Sequence, residues 1–335
     1  MSISIKRTYW VICVLVVSAT NVFCQQSEFT KFTGPYLDQQ PPEATPQIFA
    51  PGIISFGYHE HRITISPNGD EIYYSAASAD DSDAQIMFTK IINGVWTIPA
   101  VASFSNKGMN LHPAFSPDGK RLYFASTRIS ESDGKLTEDA DIWFVERRGD
   151  NWSEPIHLPN SVNTVNSESS PSLMTDGTLY FERIISNDKR ELDIYFSRFE
   201  NNTFQDAIKL SSPVNSNYTD LGPFISPDGS YLLFYSNRPG AFGKSDIYIS
   251  FINDEGIWKE PINLGGEINS AFIDWSPIIT PDGKYLIFSS YRNTEPIVPV
   301  DYTYLNSMKT YFGNPVPGLG TLYWVDASII HELRK

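Results

Sequence analysis

The chain is 335 residues long, with 25 basic and 39 acidic residues and a formal net charge of −14. Such an acidic balance makes nucleic acid and anionic membrane surfaces poor partners. Hydrophobic residues make up 41% of the chain and aromatic ones 14%, enough for a full core, and both cysteines fall within the first 24 residues.

In chain order, Lys6 and Arg7 precede an apolar stretch from Tyr9 to Val17, then small and polar residues to Cys24. Residues 1–24 read as a signal peptide, too short for a spanning helix. The protein is therefore expected in the periplasm or secreted. Cys24 invites lipid anchoring, but Val22-Phe23 put bulk where a lipobox needs small residues, which favours cleavage after Cys24. The mature chain then has no cysteine, so neither a disulfide nor a thiol nucleophile is expected. No later segment is long and apolar enough to span a membrane. Residues 25–44, with Pro35, Pro41, Pro42 and several glutamines, read as an extended tail.

Next come five copies of one turn: Ser66-Pro67-Asn68-Gly69, Ser116-Pro117-Asp118-Gly119, Thr175-Asp176-Gly177, Ser226-Pro227-Asp228-Gly229 and Thr280-Pro281-Asp282-Gly283, their glycines 50, 58, 52 and 54 residues apart. A fixed period of this size marks a repeat architecture. Pro presets φ at the first central position, and Gly takes the left-handed corner. An apolar run precedes each turn (Ile63-Thr64-Ile65 in the first copy) and an aromatic, β-branched run follows (Ile72-Tyr73-Tyr74), which reads as a hairpin. A third run follows (Asp141-Ile142-Trp143-Phe144 in the second copy), and a fourth opens on an aromatic (Trp152-Ser153-Glu154-Pro155). Four short strands per unit make a propeller blade. The fifth unit stops after its third strand, near Trp324, while Thr45–Phe49 supplies a spare one. The expected fold is all-β: residues 45–335 form a five-bladed propeller of four-stranded antiparallel blades, closed by the N-terminal strand completing the last blade.

The phrase from Phe115 to Phe124, FSPDGKRLYF, resembles the WD40-like repeat of bacterial envelope proteins, shared with the propeller of TolB. The resemblance covers residues 45 to 335 and implies fold more than function, since the repeat serves many binding tasks. TolB-like proteins carry six blades and a second domain; neither is expected here.

Function must come from differences between the repeats. At the start of the first strands stand Glu60, Asn110, Glu168, Asp220 and Asp274, expected to ring one channel mouth. Such a ring would hold a cationic peptide, sugar hydroxyls or a hard ion such as calcium; alternatively, each residue accepts local backbone hydrogen bonds. No cofactor beyond such an ion is implied. After the second strands come Ser126-Thr127-Arg128, Ser236-Asn237-Arg238 and Ser290-Tyr291-Arg292. Bridges from Arg128 and Arg238 to Asp141 and Asp246 at the start of the third strands are expected. Blade five has Thr321 in place of that aspartate, so Arg292 reads as unpaired and a ligand contact. Beside it, an insertion over residues 293–320 carries Tyr302, Tyr304, Tyr311 and Phe312, either a binding loop or a cap that hides its own aromatics. Tyr291, Tyr302 and Tyr304 join the candidate site. His59, His61 and His112 are weak candidates for zinc, lacking a closed ligand set.

No GxSxG elbow, phosphate loop or HExxH helix occurs, and with Lys335 following just after the last blade, no separate hydrolase domain is expected. The expectation is a monomeric, non-catalytic binding module of the envelope, taking an envelope protein or a glycan at the channel mouth. The alternatives are a glycoside hydrolase using two of the ring carboxylates, or a scaffold component of an envelope complex.

Overall fold

The computed structural model describes residues 30–129, 139–185 and 191–334. Residues 1–24, read from the sequence as a signal peptide, and both cysteines lie outside the described residues.

Five antiparallel sheets stand in a ring. Blade one is built on strands His61–Ile65, Glu71–Ala77 and Ala84–Ile92; blade two on Asn110–Phe115, Arg121–Ser126 and Asp141–Arg148. Blade three uses Ser167–Leu173, Leu179–Ile185 and Glu191–Ser197; blade four uses Asp220–Ile225, Tyr231–Ser236 and Asp246–Phe251. In blade five, Asp274–Ile279, Tyr285–Ser290 and Thr321–Asp326 are joined by Gln47–Ile48, which pairs antiparallel with the last of these, Gln47 opposite Trp324. The expected closure by the N-terminal strand is therefore present.

The five turns take the expected form. Gly69, Gly119, Gly177, Gly229 and Gly283 all have φ between 68° and 89°, a region that costs glycine nothing. In four of them the first Ser or Thr hydroxyl accepts from the backbone N–H five residues on. Blade three has Met174 in that place and lacks this bond.

Every inner strand breaks register once. At each break one residue adopts positive φ: Arg62, His112, Ser170, Gly222 and Ser276. Four of these precede a proline, which is tolerated on the free inner edge because its missing N–H would have pointed into the channel. The outer strands were expected to run through the aromatic-to-proline segments. They are instead short, often split pieces, such as Val95–Trp96 and Ala100–Val101 on either side of Pro99. A proline cannot donate to the ladder, so pairing stops around it.

The core lies between neighbouring sheets. The second strands place Tyr74, Phe124, Phe181, Phe234 and Phe288 in one repeated slot, all with 0% exposure. Burial of each such ring contributes about 2 to 3 kcal/mol.

The described part of the tail, residues 30–44, is docked on the ring. Trp96 donates from its indole to Gly34 O (2.8 Å) and from its backbone to Phe32 O (2.8 Å). Tyr36 packs edge-on against Tyr285, and Leu37 is buried. The tail thus straps blade one to blade five. Among the described residues, no helix is long and apolar enough to cross a membrane.

Candidate functional site

The inner strands run from one mouth of the channel to the other. At the mouth where they begin, Glu60, Asn110, Glu168, Asp220 and Asp274 all have 0% exposure and are committed to internal hydrogen bonds. Asp220 Oδ2 accepts from the N–H and hydroxyl of Ser216 (2.7 and 2.6 Å), and Asp274 Oδ2 does the same with Ser270 (2.5 and 2.8 Å). Glu168 accepts from the N–H and hydroxyl of Thr164 (2.9 and 2.6 Å). Each donor sits four residues before its acid, so the local bonding expected as the alternative is what the geometry contains.

The second pattern must be corrected. Arg128 and Arg238 do not bridge to Asp141 and Asp246. They fold back onto the inner-strand residue of their own blade, Arg238 Nη2 reaching Asp220 Oδ1 at 2.5 Å and Arg128 Nη2 reaching Asn110 Oδ1 at 2.5 Å. Arg292 is likewise paired, at 2.6 Å from Asp274 Oδ1, so it is not the unpartnered arginine its blade suggested. Blade three contributes Arg183, which bonds Glu168 at 2.6 Å from a position two residues earlier in the repeat. The third-strand aspartates serve elsewhere: Asp141 binds His157 (2.9 Å), Asp193 binds Lys209 (2.6 Å), and Asp246 caps the N–H groups of Phe242 and Gly243.

Sequence reading missed Asn163, Asn215 and Asn269. Each bonds both the N–H and the C=O of one residue in the preceding third strand: Ile142, Ile194 and Ile247. The signal was available, since Val162-Asn163-Thr164, Val214-Asn215-Ser216 and Ile268-Asn269-Ser270 repeat five residues before each acid.

Blade one departs from this scheme. Glu60 accepts from the N–H groups of Phe56 (2.7 Å), Gly57 (3.2 Å) and Tyr58 (3.0 Å), and among the described residues no arginine is paired to it. Burial pushes its carboxyl up to about 7, against the pull of those donors.

The 293–320 insertion holds helix α1 (Tyr302–Phe312), capped by Asp301, whose Oδ1 accepts from Thr303 N and Tyr304 N. The helix turns Tyr304, Leu305, Met308 and Phe312 into the core of blade one, where Tyr304 meets Phe56 and Tyr74. Of the candidate tyrosines, Tyr304 is buried at 3% exposure, and Tyr302 stands out at 64%.

The three histidines do come together. His59 donates from Nδ1 to Asp81 Oδ1 (2.6 Å) and accepts at Nε2 from the Tyr291 hydroxyl (2.6 Å). His61 stacks on Trp275 at 4.9 Å and meets His112 at 5.1 Å. Burial drives the imidazoles of His61 and His112 down, the latter to about 4. Among the described residues, no group of three or more His, Cys, Asp or Glu has metal-binding geometry.

The open cavity lies at the opposite mouth, ringed by the turns. It is a funnel of about 1030 Å³ with walls from all five inner strands, including Ile65, Phe115, Leu173, Ile225 and Ile279. Its rim carries Pro67, Pro117, Pro227 and Pro281. Five cations line it (Arg62, Lys120, Arg121, Arg147, Arg148) against two acids, Asp118 and Glu146. The rim cations are ion-paired: Lys120 with Asp118, Arg121 and Arg148 with Glu146, and Arg147 with Glu71. Arg62 differs. Its Nη2 crosses the channel to donate to Pro171 O (2.8 Å) and Pro223 O (2.9 Å), while among the described residues Nε and Nη1 have no hydrogen-bond partner.

No family model matches the chain, and no curated protein matches it. Similar solved structures include a putative TolB from Agrobacterium tumefaciens, at 18% identity and TM-score 0.46, covering 69% of this chain and 70% of that one. TolB from Acinetobacter baumannii follows at 17% identity and TM-score 0.47; 80% of this chain is covered, and it spans 57% of that one. An α-L-arabinofuranosidase from Lactobacillus brevis stands at 12% identity and TM-score 0.46, covering 78% and 90% of the two chains. Likeness of this order assigns neither ligand nor activity. The five-bladed propeller rests on the five sheets and their closure.

Proposed function

We propose that the protein is an exported, non-catalytic binding module of the cell envelope whose ligand enters the central funnel from the turn mouth. The funnel carries this reading: a concave space of about 1030 Å³, with apolar walls from the inner strands and charged groups among its lining, has the form of a ligand site. The N-terminal signal-like segment supports export. A glycoside hydrolase needs two carboxylates facing the substrate, whereas the ring acids are buried and hydrogen-bonded.

The test is titration of the mature protein with the neutral fluorescent dye N-phenyl-1-naphthylamine. Saturable binding that disappears in Met174→Trp, which narrows the mouth, is the expected result. Turnover of aryl glycosides that is lost in Glu168→Gln or Asp220→Asn would overturn the reading.

A further inference from the structure

The funnel's floor says what kind of ligand suits it. Arg62 is 1% exposed. It lines the cavity, and among the described residues its Nε and Nη1 have no hydrogen-bond partner. Glu182 acts on it through its charge, but the oxygens of that carboxylate are bonded to Ser169 Oγ and Gly222 N rather than to Arg62. Burial lowers its pKa only to about 10, so it stays charged at neutral pH. Its role as a crossbar to Pro171 and Pro223 accounts for Nη2 alone. A fixed cation at the bottom of a low-dielectric funnel favours an anion strongly.

The walls narrow the choice further. An extended peptide would need backbone partners along the inner edges, yet many of those groups are already taken. Phe115 N donates to Thr64 Oγ1 and Ile225 N to Ser172 Oγ; Pro171 O and Pro223 O accept from Arg62, and Pro227 O accepts from Thr175 N. Pro113, Pro171, Pro223 and Pro277 offer no N–H at all. Such walls suit a body that asks for no hydrogen bonds.

Resting on the reading of the funnel as a binding site, we infer that its ligand is a monocarboxylate with a hydrocarbon body, its carboxylate on the Arg62 guanidinium and its chain along the Ile65, Leu173, Ile225 and Ile279 walls. Charge-assisted hydrogen bonding to a carboxylate would complete the donor set of Arg62.

The experiment is calorimetric titration of the mature protein with decanoate and with decanol, which share a body and differ in the head. Decanoate should bind at least tenfold more tightly at neutral pH, and Arg62→Met should erase that preference while leaving decanol binding in place. Equal affinity for the two, both abolished by Met174→Trp, would overturn the carboxylate and keep the funnel as an apolar site. Binding of neither, or binding of both that survives Met174→Trp, would overturn the funnel reading and this inference with it. An acidic apolar peptide that competes while decanoate does not bind would also overturn the hydrocarbon body. Should Arg62→Met fail to fold, the comparison on the unaltered chain together with Met174→Trp still decides.

Discussion

Arg292 Nη2 lies 2.6 Å from Asp274 Oδ1 and also donates to Ile268 O at 2.6 Å, so one guanidinium ties the start of an inner strand to the loop arriving from the previous blade. Arg128, Arg183 and Arg238 repeat the arrangement with Phe104 O, Val162 O and Val214 O. Removing one member of a buried pair leaves the other charge uncompensated. Arg292→Ala and Arg238→Ala should therefore each cost about 3 to 5 kcal/mol in denaturant unfolding. A loss below about 1 kcal/mol, the range of exposed pairs, would mean these arginines do not hold the ring.

Glu60 sets a pH dependence of its own. Its folded pKa of about 7 exceeds the usual carboxyl value of 4.5, so between those values the folded state keeps a proton that the unfolded state releases. Stability then falls as pH rises from about 4.5 to 7 and stays at the lower level beyond, by a sum on the order of 3 kcal/mol. Glu60→Gln should flatten that slope and match or exceed the natural protein in stability at pH 8. Parallel stability-against-pH curves for the two proteins would show that Glu60 is not the titrating group.

His112 acts in the opposite sense. Held down at about 4 by burial, it stays neutral in the fold while the unfolded chain takes up a proton near 6.5. Its contribution is complete above pH 6.5 and is lost as pH falls toward 4. In His112→Gln the acid-induced drop should shrink, as read from melting temperatures across pH 4 to 7; an unchanged drop would remove His112 from the account.

Gly222 has φ of 63°, and a Cβ there would sit 2.6 Å from Cε1 of Tyr235. The other blades place Arg62, His112, Ser170 and Ser276 in the same left-handed slot, so the backbone itself tolerates a side chain. The ring of Tyr235 makes the difference. Gly222→Ala should destabilise the protein by about 1 to 3 kcal/mol, and adding Tyr235→Ser should recover part of that loss. Failure of the second substitution to recover any would assign the cost to backbone strain instead.

The propeller was legible because each repeat writes its turn in residues with a single conformational use: Gly69, Gly119, Gly177, Gly229 and Gly283 all sit at the left-handed corner. The arginine network was not, because spacing along a hairpin says nothing about which way a side chain folds past the strand end. Arg128, Arg238 and Arg292 turn back by bonding through Nε to Ser126, Ser236 and Ser290. Blade three hid its own member, since Arg183 stands where the others have that serine. The funnel left no distinct mark. Ile65, Leu173, Ile225 and Ile279 have the same pattern as any buried strand residue, and only the closed ring turns them to one axis.

The pairing of Gln47–Ile48 with Tyr323 and Trp324 also governs the order in which the molecule is made. The first strand to emerge in synthesis waits for the last, so blade five cannot be completed while earlier blades assemble. Until then two strand edges lie open, and neighbouring chains can compete for them. The pairing joins strands at opposite ends of the propeller, a non-local contact of the kind that slows folding, and the packing of Tyr36 against Tyr285 of blade five spans the same separation.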